Sequence, residues 1–129
     1  MIIKFKHDEN KRLSKNFTSN EFQSHDGTGG FVDEDLLIKL QILRTQVGKP
    51  ITVTSGYRSI EHNKIVGGEQ DSQHCEGTAA DIVIDGLKPL KVALLAGRIG
   101  FTGIGLYKTI THVDVREVDD PNDIDCWEG

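Results

Sequence analysis

The chain has 129 residues, a length that suits one domain with its own core and needs no disulfide framework or structural metal to fold. Its apolar content of 36% and charged content of 27% are ordinary for a globular protein. A net charge of -5 leaves no basic surplus for non-specific nucleic-acid binding, and no apolar run is long enough to insert in a membrane.

Met1 to Lys6 lacks the apolar core of a secretory signal, so the expectation is synthesis in the cytoplasm without a signal peptide. Residues 7 to 20 are polar and read as irregular. Ser19 or Asn20 is a suitable cap for a short helical turn at Glu21-Phe22. Ser24 to Gly30, rich in glycine, reads as a loop. The clearest helix runs from Asp33 to Val47, where Leu36, Leu40, Leu43 and Val47 make one apolar face. Asp33 suits its N-cap, and Gly48 with Pro50 supplies the stop. Ile51 to Thr54 is a β-branched strand leading into the turn-prone Ser55-Gly56-Tyr57-Arg58-Ser59. Ile60 to Ile65 reads as a short helix before Gly67-Gly68.

Ala80 to Asp85 reads as a second strand. Lys88 to Ile99 is a second long helix, with Pro89 in its first turn and Gly100 at its end. Ile104 to Tyr107 and Thr111 to Arg116 are two strands close enough to form a hairpin. After Glu117 the chain is acidic and turn-prone, and Trp127 reads as a terminal packing residue. The pattern is α+β: helices packed on a small antiparallel sheet in a single domain spanning residues 1 to 129. Cys75 and Cys126 have no metal-binding spacing, and the sequence leaves their pairing open.

Three residues stand out chemically. His74 and Asp81 lie seven positions apart, and His112 lies on a later strand. Two imidazoles and one carboxylate are the ligand set of a catalytic zinc that keeps one position open for water. Alternation puts Asp81 opposite Ile82 and Ile84, and puts His112, Asp114 and Arg116 opposite Val113 and Val115. Each such polar face, taken alone, is also what a solvent-facing strand presents. Arg58 carries a planar fork of donors suited to a carboxylate or a developing oxyanion, though an arginine in a surface turn looks the same in sequence.

The order SGYRS, N-x-x-VGG, S-x-H-x-x-G-x-A-x-D and HVDVR resembles the zinc D-alanyl-D-alanine carboxypeptidase and murein endopeptidase family. That family includes phage L-alanyl-D-glutamate endolysins and shares its fold with the hedgehog signalling domain. The likeness runs over about residues 13 to 116, from LSKNF through Gly48-Lys49-Pro50 to GIGLY and HVDVR. It implies a zinc held by His74, Asp81 and His112, with Tyr57 and Arg58 beside the metal as substrate-binding groups. Ser72 is implied to position substrate or to order the loop presenting His74, and Gly77 to allow the turn between that loop and the Asp81 strand. The implied activity is hydrolysis of peptidoglycan stem peptides next to a D-amino acid, as a carboxypeptidase or an endopeptidase, by a monomer acting at the cell wall. A lysis protein of a phage or prophage is one setting, and a domain of a larger protein is another.

One departure bears on catalysis. Many relatives carry a Glu or His shortly before the last zinc ligand as general base, whereas Thr109, Ile110 and Thr111 stand here. Asp114 is the nearest candidate base. It could instead orient His112 as a partner behind the metal, and strand alternation also allows the exchange in which Asp114 takes the metal and His112 acts as acid and base. Glu61, Glu76 and Glu117 are further candidates. The departure also admits a different class of function, a zinc-binding domain of weak or no activity that binds a wall peptide or a protein partner.

Overall fold

The computed structural model describes residues 1–120 and 122–129. Strand β1 (Ile2–Phe5) pairs antiparallel with β4 (Gly30–Asp33), and β2 (Arg12–Ser14) pairs with β3 (Phe17–Thr18). Helix α1 (Glu34–Val47) follows, then β5 (Ile51–Ser55), the short α2 (Ile60–Ile65) and β6 (Ala79–Ile84). Helix α3 (Pro89–Ile99), β7 (Gly103–Leu106), β8 (Thr111–Asp114) and β9 (Asp125–Glu128) complete the chain. The main sheet has the order β5-β6-β8-β7-β9.

The helices form where local signals place them. The Asp33 carboxylate accepts the backbone N–H of Asp35 at 2.8 Å, and Gly48 ends α1 in the left-handed region at φ 65°. Pro89 opens α3 and Gly100 closes it. Leu36, Leu40 and Leu43 of α1 and Val92 and Ala96 of α3 are buried with Ala80, Ile82, Ile84, Ile104 and Val113 of the sheet. One face of the main sheet therefore carries the core. The other face is left for Asp81, His112 and Asp114, as the alternation along β6 and β8 predicts.

Four expectations need correction. Residues 7 to 20 are not irregular throughout, because β2 and β3 form a small hairpin within them. The turn at Ser19–Glu21 is capped by Thr18, whose backbone N–H donates to the Glu21 carboxylate, rather than by Ser19 or Asn20. The segment 24 to 30 is not wholly loop: Ser24 bridges Gly29, and Gly30 begins β4. The acidic C-terminal segment is not only turns: it contributes β9, which pairs parallel with β7 at the edge of the otherwise antiparallel sheet. Nothing in the local composition of residues 125 to 128 signals a strand. The partner edge supplied by β7 creates it. Cys75 and Cys126 are free thiols. Among the described residues, no helix is long and apolar enough to cross a membrane.

The two faces of α1 should differ sharply in their tolerance to change. Leu40 is fully buried, so Leu40→Ala should cost about 2–5 kcal/mol in urea unfolding. Ile42, on the same helix but 42% exposed, should cost about 0.5 kcal/mol or less on truncation to alanine. Equal losses at the two positions would contradict this division of the helix.

Candidate metal centre and cleft

One rung of the main sheet carries the chemistry. Ser55 pairs with Asp81, Asp81 with His112, His112 with Gly105, and Gly105 with Trp127. Simple alternation along β5 would set Ser55 with Val53 on the core side. A register shift between Val53 and Ser55 re-aims it toward the site. His74 reaches the same point from a 3-10 turn at Gln73–Glu76. Ser72 caps that turn by accepting the His74 N–H at 3.2 Å, and Gly77 ends it at φ 72°.

His74, Asp81 and His112 each bring one ligand atom within 4.8 Å of the others. The outward-facing ring nitrogens define the tautomers. His74 Nδ1 lies 2.7 Å from the Gly56 carbonyl, an acceptor only, so it carries the proton. His112 Nε2 lies 2.7 Å from Asp114 Oδ2 and donates to it. In neutral rings this leaves the lone pairs of His74 Nε2 and His112 Nδ1 aimed at Asp81 Oδ1, at 3.2 and 3.0 Å. Acceptors that converge in this way need a cation among them. A divalent metal fits this donor set, with both imidazoles held in the required tautomer by their second nitrogens.

The same contacts shift the pKa values of His112, Asp81 and Asp114. Burial alone would lower the pKa of His112, but its bonds to Asp114 and Asp81 outweigh burial and raise it above 6.5. Burial works against ionisation of Asp81, yet the bonds and charges of His112 and His74 hold its carboxyl well below the usual range. Asp114 is fully buried. Burial is again opposed, chiefly by the Arg116 side chain and then by His112, and the carboxyl is brought down to about 2.

The other residues singled out in the sequence divide between the site and its surroundings. Arg58 lies beside the ligands, its Nη2 at 3.3 Å from Asp81 Oδ2 and its Nε at 3.1 Å from Ser55 Oγ. Tyr57 does not accompany it. Its ring packs at a tilt on Phe31, 4.4 Å between centroids, and against Gly30. Asp114 turns both oxygens inward, Oδ1 to the Arg116 N–H and Nε, Oδ2 to Arg116 Nη2 and His112. It does not join the group of metal-competent atoms.

A cleft of about 1040 Å³ opens over the three ligands. Arg58, Ser72 and Arg116 line it, and Tyr57 does not. Glu61, Glu76 and Glu117 are absent from its walls as well; its further acids are Glu69, Asp71 and Glu128. Two residues of the site escaped the sequence reading. Asn63 is buried, accepts Arg58 Nη1 at 3.3 Å and donates to the Glu69 carbonyl at 2.7 Å, tying Arg58 to the cleft loop. Only its place in N-x-x-VGG hinted at this. Trp127 lines the cleft rather than merely packing a terminus, and no local signal announced it.

A family profile described as Peptidase M15 matches residues 15–116. A protein named zinc D-Ala-D-Ala carboxypeptidase, from Streptomyces albus G, is 43% identical over 67 residues, covering 51% of this chain and 26% of that protein. The chain thus aligns with about a quarter of the length of that relative.

The charge balance predicts a pH signature in the metal-stripped protein. A histidine whose folded pKa is raised stabilises fully below the unfolded value, and that stability is lost as pH rises through the folded value. The unfolding free energy should therefore fall as pH rises from 6.5 through the raised pKa of His112, by at most about 1.4 kcal/mol per pH unit in urea unfolding. His112→Gln should flatten that slope. An unchanged slope in the variant would assign it to another group.

Proposed function

The chain belongs to the peptidase M15 family, and we propose that it is a zinc-dependent peptidase of peptidoglycan stem peptides, cutting next to a D-amino acid. The observation that carries this reading is the convergence of His74, Asp81 and His112 on one point in the floor of an open cleft. The likeness to a protein named for zinc and for the D-Ala-D-Ala bond supports both the metal and the substrate class. A bound zinc supplies Lewis-acid polarisation of an amide carbonyl and activation of a water.

The chain's own residues hold and orient. His74, Asp81 and His112 are the proposed ligands. Arg58, fixed by Ser55 and Asn63, presents donors toward the place where negative charge develops on the scissile carbonyl or where a terminal carboxylate sits. Ser72 orders the turn that presents His74. Asp114 holds His112 in the tautomer that leaves Nδ1 free. Of the roles open to it, the orienting one is favoured, because both its oxygens are engaged by Arg116 and His112 and Asp114 itself does not line the cleft. Proton transfer then falls to a carboxylate of the cleft wall, among Glu69, Asp71 and Glu128.

A second reading has one observation in its favour. No carboxylate other than Asp81 joins the group of metal-competent atoms among the described residues. A domain that keeps the metal but hydrolyses weakly, and binds a wall peptide or a protein partner, shares that geometry. Mass spectrometry of defined muropeptides after incubation, with and without chelator, separates the two readings. It also reports whether a terminal residue or an internal bond is lost, and hence carboxypeptidase or endopeptidase.

Three variants test the assignments. His74→Ala should lose stoichiometric zinc by elemental analysis. Arg58→Ala should keep zinc and lose about 100- to 1000-fold in turnover. Asp114→Asn should weaken zinc affinity about 10- to 100-fold, as expected for a partner that orients a ligand. Full zinc affinity with abolished hydrolysis in Asp114→Asn would return the role of base to Asp114.

A further inference from the structure

The family match ends at residue 116, yet the wall of the cleft does not. Strand β9 adds Trp127 to the rung that holds Asp81 and His112. Between His112 and Trp127 on that rung stands Gly105. A Cβ there would come within 2.7 Å of the indole, so the bare glycine is what lets the indole lie across β7. The Trp127 ring reaches to 5.2 Å from the His112 ring, centroid to centroid.

Three contacts fix its orientation. Trp127 Nε1–H donates to the Tyr107 hydroxyl at 2.9 Å. The Arg116 guanidinium lies 4.8 Å from the ring centroid, a cation–π distance. The third contact is His112 itself. The polar handle of the indole is thereby already satisfied, and what Trp127 offers the cleft is ring surface. Arg58, Glu69, Asp71 and Ser72 are among the polar groups that line the same cleft. A rigid ring held 5.2 Å from the proposed ligand His112 is a means of choosing the side chain next to the scissile bond.

Resting on the peptidase reading above, we propose that Trp127 is a substrate-contacting, specificity-determining residue that receives the methyl group of an alanine flanking the scissile bond. The strand β9 that carries it makes this specificity a property of the chain beyond the family-matched segment.

The test exploits the fact that the chain has one tryptophan. The zinc-loaded protein is mixed rapidly with the pentapeptide L-alanyl-D-γ-glutamyl-L-lysyl-D-alanyl-D-alanine, and emission and acrylamide quenching are read before turnover. Both should change on saturation, with the ring becoming less accessible. An unaltered spectrum and accessibility at saturating peptide would overturn the proposal. In steady state, Trp127→Ala should lose about 10-fold or more in kcat/KM, chiefly through KM, as for loss of an apolar contact to one methyl group. Zinc content should not change, and Trp127→Phe should recover most of the loss. On the analogue with glycine in place of the contacted alanine, the loss should shrink to about 2-fold or less. An equal loss on every glycine analogue would instead mark Trp127 as mere support for His112 and overturn the proposal. If the wild-type protein cleaves none of these peptides while its emission responds, the peptidase reading falls and the binding role of Trp127 stands.

Discussion

Acceptor groups that face one another need a cation among them, and that requirement organises the middle of this sheet. Asp81 Oδ1 receives two imidazole nitrogens whose opposite nitrogens are already committed as donors, to Gly56 and to Asp114. The second contacts decide the chemistry of the first. A carbonyl and a buried carboxylate fix the tautomers, so the site is set for a cation before one arrives. Protons and metal compete for it, which couples metal affinity to pH.

That arrangement depends in turn on Asp114, a carboxylate with no solvent contact. An isolated buried charge of this kind is strongly unfavourable, and here it is matched by Arg116 and His112. Space for it comes from β7. A Cβ at Gly103 would sit 2.0 Å from Asp114 Oδ1, so only glycine fits opposite it. Arg116 also reaches Asp125 and the face of Trp127. The Arg116 guanidinium thus links Asp114 to the C-terminal strand, alongside the direct contact of the His112 and Trp127 rings.

The sheet divides its labour by face. Ile82, Val113 and Ile104 point into the core against α1 and α3, while their neighbours Asp81, His112 and Gly105 build the site. Rigid packing on one side holds the ligands of the other to a narrow range of positions, as a preorganised site requires. The cleft loop is tied to this frame through Asn63, which engages both Arg58 and the Glu69 carbonyl. Two points of the cleft lining are fixed by such contacts: Arg58 by Ser55 and Asn63, and Trp127 by Tyr107 and Arg116.

The sequence by itself determined the elements whose signals are local. Helix α1 was legible from leucine spacing, an Asp cap and a Gly stop, and α3 from Pro89 and Gly100. The polar face of β6 and β8 followed from period-two alternation. His74, Asp81 and His112 were singled out by residue type and order, and the fold brings one ligand atom of each within 4.8 Å of the others. Only the tertiary structure decided the rest. Tyr57 and Arg58 are adjacent in sequence, yet Phe31 and Gly30 capture the Tyr57 ring and leave Arg58 alone at the cleft. Ser55 changes faces because of a register shift in strand pairing. Asp114 turns inward because Gly103 leaves room and Arg116 supplies charge. Strand β9 exists because β7 offers an open edge, and Trp127 enters the cleft because Gly105 has no side chain. Each of these outcomes is set by a partner distant in sequence. Periodicity and caps act within a few residues, whereas strand pairing, steric room and charge compensation act only once the chain has folded back on itself.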